Sequence, residues 1–159
     1  FVSRYFSDPW WGRGEAISFT AMPRTAETRP GTLKNILVEN VSGRAENSVR
    51  VNGSAASHIE NVVFKNVSLK FNRWTKYPGG LFDNRPTNVL PPIESHATPG
   101  FSVSYADNVT LDDCSVTWGN NLPDYFGSAL EADATHNLRF TGFHGTAAHP
   151  QRDAAIWIR

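Results

Sequence analysis

Ile59-Glu60-Asn61-Val62-Val63-Phe64-Lys65-Asn66-Val67-Ser68 sets apolar side chains between two asparagines. Val62 and Phe64 fall on one face of an extended chain, with Val63 on the other. The next apolar position, Val67, comes three residues after Phe64, not two. Asn66 fills the intervening corner, and asparagine tolerates the left-handed backbone that a sharp bend needs.

Three other segments align with this one without gaps: Leu33–Ser42, Ala106–Ser115 and Thr135–His144. Their first apolar column holds Ile36, Val62, Val109 and Leu138. The second holds Val38, Phe64, Leu111 and Phe140, and the third Val41, Val67, Cys114 and Phe143. Leu37, Val63, Thr110 and Arg139 vary in chemistry, as a solvent face does. Asn40, Asn66, Asp113 and Gly142 share the corner. Asn35, Asn61, Asn108 and Asn137 form a further column, and stacking the repeats predicts a ladder of amide hydrogen bonds along it.

A short strand precedes each repeat, at Ala16–Phe19, Ser48–Val51, Phe101–Ser104 and Ser128–Glu131, and Ala155–Ile158 supplies another. The asparagine column advances by 26, 47 and 29 residues, which are solenoid periods. The long step contains an insertion over about residues 70–98, punctuated by Pro78-Gly79-Gly80 and Pro91-Pro92. A Greek-key sandwich would not repeat one corner at one offset four times, and no helical period supports a leucine-rich repeat. The expected fold is all-β, a right-handed single-stranded parallel β-helix of about five coils. Residues 1–159 read as the C-terminal part of one such domain. The chain opens on Phe1-Val2-Ser3-Arg4 and closes on a strand, so both ends read as cut from within a longer fold.

Apolar residues make up 40% of the chain and charged residues 19%, the balance of a globular domain. The formal net charge is zero, which gives no electrostatic case for nucleic acid or an anionic membrane. No apolar run is long enough for a spanning helix. One cysteine, Cys114, excludes an internal disulfide and reads as a buried small side chain.

With the repeat in place, the chain resembles the pectin-lyase-like superfamily. More narrowly, it is similar to glycoside hydrolase family 28, the polygalacturonase and rhamnogalacturonan hydrolase group. The segments that carry this are Trp11–Ile17, Thr32–Val41, Trp74–Gly80 and Asn121–Gly127. The resemblance implies inverting hydrolysis of pectic, galacturonic-acid-containing polysaccharide, with an acid and a base carboxylate on one sheet face and no metal or cofactor. It also implies a secreted or periplasmic bacterial protein, monomeric at full length. The family's Asn-Thr-Asp, Asp-Asp, Gly-His-Gly and Arg-Ile-Lys motifs are not readable here as such. Asp112-Asp113 falls at a strand end and corner, and Ser48-Val49-Arg50-Val51 is only faintly like Arg-Ile-Lys. The catalytic aspartates are therefore expected upstream of Phe1, and this chain alone is expected to be inactive.

Substrate contacts are expected elsewhere. Trp10, Trp11, Arg13 and Glu15 lie beside glycines, and aromatic faces with a guanidinium fork suit a uronate sugar. Arg73, Trp74 and Lys76 bring the same chemistry to the insertion, and Trp118–Asn121 with Asp124–Phe126 is similar. His144 and His149 lack a carboxylate at ligand spacing, and His58, His96 and His136 sit at turns, so no metal site is expected. Two rival readings share the fold: a carbohydrate-binding module or adhesin without hydrolysis, and a lyase or epimerase, which the resemblance implies would often use calcium and a basic residue and which an acidic calcium site upstream would support.

Overall fold

The computed structural model describes residues 1–4 and 12–159. The described residues form strands without any helix. Strands β1 (Glu15–Thr20), β2 (Lys34–Ala45), β3 (Asn47–Asn52) and β4 (Ile59–Phe71) come first. A short pair, β5 (Leu81–Asp83) and β6 (Ile93–Ser95), lies in the insertion. Then follow β7 (Phe101–Asp112), β8 (Ser115–Trp118), β9 (Leu130–Thr141) and β10 (Ile156–Ile158).

All strands except β5 and β6 join one sheet, and every pairing in it is parallel. β7 explains the branching order. Its first part, Phe101–Ser104, pairs with β3, and its second, Ala106–Asp112, pairs with β4, while β9 follows both parts. Tyr105 divides the two parts with a left-handed φ of 48°, and Ala134 does the same in β9. A left-handed residue turns the chain and shifts the side-chain alternation.

The sequence columns are columns in space. Ile36 pairs with Val62, Val62 with Val109 and Val109 with Leu138. Val38, Phe64, Leu111 and Phe140 align in the same way. In β4, Ile59, Val62, Phe64, Val67, Leu69 and Phe71 are all buried while Glu60, Lys65, Ser68 and Lys70 are exposed. The slip at Asn66 is backbone geometry: Asn40, Asn66, Asp113 and Gly142 all have positive φ. Asn35, Asn61, Asn108 and Asn137 do too, so the ladder asparagines are also bend residues.

The core is apolar and aromatic. Phe64 and Phe101 are fully buried and meet edge to face with centroids 5.5 Å apart. Cys114 is buried among them, and that burial pushes its thiol pKa up. Leu37 is exposed because it points to the outer face with Val63 and Thr110, and Phe140 because β10 covers only Leu130–Ala132 of β9.

Candidate functional site

The floor of the candidate site follows from register. Alternate residues of a strand point away from the core. In β3 these are Arg50 and Asn52, in β7 Ser102 and Ser104, and in β9 Glu131 and Asp133. Pairing places Arg50 beside Ser102 and Ser102 beside Glu131. Asn52, Ser104 and Asp133 make the adjoining row. Two polar rows therefore run across three parallel strands.

The insertion walls this floor. β5 and β6 pair antiparallel, and Phe82 stacks on His96 with centroids 4.3 Å apart. The Arg50 guanidinium lies 4.3 Å from the Phe82 ring centre and donates to the Asp83 carbonyl (2.9 Å) and to Asn84 Oδ1 (2.6 Å). Burial pulls the pKa of Arg50 down, against the opposing pull of Glu15, Glu94 and Asp83. Between floor and wall lies a cleft of about 220 Å³.

Two ion pairs line the cleft. His96 Nε2 meets Glu131 Oε1 at 3.2 Å. Burial lowers the pKa of His96, but hydrogen bonds to Glu131 and to the Ala97 carbonyl outweigh it and raise the imidazole above its ordinary value. Arg159 grips Asp133 through both carboxylate oxygens at 3.2 Å each. That bond holds Asp133 below the usual carboxylate range. Beside them, Asn52 accepts from Ser104 Oγ at 3.2 Å, but its buried Nδ2 finds no acceptor among the described residues.

The predicted contact residues are distributed differently. Trp10 and Trp11 lie outside the described residues. Arg13 is buried, and its Nε lies 3.9 Å from Asp83 Oδ2. Glu15 accepts from the Arg13 backbone at 2.6 Å. Both therefore stand where β1 meets the insertion. Asp83 gathers this junction, accepting from Gly12 N (3.1 Å) and from Arg85 (2.7 Å).

Arg73 turns back on its own loop, donating to the carbonyls of Thr75 and Lys76. Lys76 is exposed. Trp74 is 39% exposed and lines a second cleft, about 250 Å³, with Arg44, Lys70, Asn72 and the Gly119–Asn121 loop. The structure thus joins two segments read separately from sequence, Trp74 and the loop after Trp118. No carboxylate lines this cleft among the described residues.

Asn52, His96, Glu131, Asp133 and Arg159 were not singled out from sequence. For Asn52, Glu131 and Asp133 the signal was alternation, with polar residues two apart at corresponding places in β3, β7 and β9, whereas His96 and Arg159 follow β6 and β10 and carried no such signal. His58 and His136, read as isolated turn residues, instead converge on Asp107. No family model, curated protein or solved structure matches the chain.

Proposed function

We propose that this chain is part of a right-handed parallel β-helix glycoside hydrolase acting on galacturonic-acid-containing polysaccharide by inverting hydrolysis. The in-register parallel columns and the shared left-handed corners support the β-helix. The observation that carries the functional reading is the unpartnered Asn52 amide, buried in a polar cleft beside Arg50 and Arg159. A buried donor without an acceptor costs about 1–3 kcal/mol, and a sugar hydroxyl or carboxylate supplies the acceptor. The Trp74 cleft adds an aromatic face flanked by Arg44 and Lys70, chemistry suited to an acidic sugar ring.

The proposal assigns sugar binding, not bond cleavage, to the first cleft. Inverting hydrolysis needs a protonated acid and a free base about 6.5–9.5 Å apart. Glu131 and Asp133 stand two residues apart on one strand face, which spans roughly 6.6 Å. Their partners do not suit the two roles. Asp133 is held ionised by Arg159, and Glu131 is bonded to the imidazole of His96.

Calorimetric titration with trigalacturonate tests the reading. Saturable binding is expected, weakened about tenfold by Asn52→Ala and by Arg159→Ala. Binding that neither change affects removes the cleft from the proposal. A carbohydrate-binding β-helix without hydrolysis is the second reading, favoured by the same two ion pairs. Reducing-end release from polygalacturonate separates the two. Release by this chain that Glu131→Gln abolishes would move catalysis into the cleft.

A further inference from the structure

Asp107 and His136 lie on the neighbouring strands β7 and β9, and His58 stands at the entry to β4. Asp107 of β7 pairs with His136 of β9, and His58 immediately precedes Ile59, whose partner is Ala106. Both imidazoles direct Nδ1 at the same oxygen: His58 meets Asp107 Oδ1 at 3.0 Å and His136 meets it at 2.8 Å. The two rings are nearly parallel, 17° apart, with centroids 5.8 Å apart. One donor atom from each residue lies within 4.8 Å of the other two.

We propose that these three residues form a divalent transition-metal site, with zinc as its occupant, that ties β7 and β9 to the segment entering β4. Imidazole and carboxylate donors suit zinc, whereas calcium and magnesium take oxygen ligands. A tetrahedral zinc with bonds of about 2.0–2.2 Å sets its donors about 3.4 Å apart. The two contacts at Asp107 are within a fraction of an ångström of that spacing. The wider histidine pair closes by movement of His136, whose side chain is 76% exposed. The partial exposure of all three side chains leaves a fourth position open to water. This site is independent of the sugar-binding reading and uses none of the cleft residues argued for it.

The test is calorimetric titration of zinc chloride into the whole chain after chelator treatment and desalting. Uptake of one equivalent is expected. His136→Ala, at an exposed ring, is expected to weaken uptake by about tenfold or more, and His149→Ala to leave it unchanged. Cobalt(II) in place of zinc should give visible absorption bands of nitrogen and oxygen ligation, lost in His136→Ala and in Asp107→Asn. Failure of the unaltered chain to take up zinc overturns the proposal. So does uptake that His136→Ala leaves equally tight.

Discussion

Asn108 donates its side-chain amide to Oδ1 of Asn61 at 3.0 Å, and the same geometry repeats on either side. Asn61 donates to Asn35 at 3.0 Å and Asn137 to Asn108 at 2.6 Å. Each of these residues also has φ between 56° and 59°. A middle rung therefore carries two hydrogen bonds and a backbone conformation that alanine adopts at a cost of about 1–2 kcal/mol. Asn108→Ala is expected to lower stability by about 2 kcal/mol in urea unfolding. Asn108→Gly keeps the backbone and loses only the rungs, so about half that loss is expected. Equal losses in the two variants would mean that the backbone contributes nothing.

The ladder and its corners were legible because each occupies the same place in every repeat. The Phe64 and Leu111 column was legible for the same reason. The column just before the ladder was not, since it holds Lys34, Glu60, Asp107 and His136, four side chains without a common chemistry. Alignment places Asp107 and His136 at one position of the repeat, but their chemistry gave no reason to join them until strand pairing did. The cleft was harder still. Its floor follows from alternation, but its wall comes from β5 and β6, in the insertion, which lacks the repeat. Arg13 shows the converse. Its residue type suited a uronate, while its burial against Asp83 depends on an insertion distant in sequence.

Phe64 is fully buried and touches Phe19 as well as Phe101. It stands in the centre of its column, between Val38 and Leu111. The backbone there is fixed on both sides, so the structure has little freedom to collapse into a void. Phe64→Ala is expected to cost about 3–5 kcal/mol, and Phe64→Leu much less. A loss below about 1 kcal/mol for the alanine variant would place this column outside the cooperative core.

The His96–Glu131 pair gives stability a pH dependence with a definite sign. His96 has a raised pKa in the folded protein. Its contribution is complete below the ordinary imidazole value of 6.5 and is lost as pH rises through the higher folded value. Urea midpoints for the unaltered protein should therefore fall as pH climbs above 6.5, and Glu131→Gln should flatten that fall. A midpoint that rises over the same window would contradict the pairing.

Glu46 is fully buried and holds the Trp74 loop in place. Its carboxylate accepts from the backbone of Trp74 (2.6 Å) and Thr75 (2.7 Å), from the Thr75 hydroxyl (2.8 Å) and from the backbone of Arg4 (2.5 Å). Burial alone would raise its pKa, but the bonds from Thr75, Arg4 and Trp74 outweigh burial and lower it. The stabilisation is present above the ordinary value of 4.5 and lost as pH falls through the lower folded value. Glu46→Gln keeps the shape but replaces one accepting oxygen with a donor, facing backbone N–H groups that also donate. A loss of about 3 kcal/mol is expected, together with a shallower acid-unfolding slope. Because only one of the two accepting oxygens remains, the clamp on the loop weakens, and Glu46→Gln should also raise Trp74 fluorescence quenching by acrylamide. Unchanged quenching at an unchanged urea midpoint would show that the loop is held by its other contacts, Phe1 and Arg44 on the Trp74 ring.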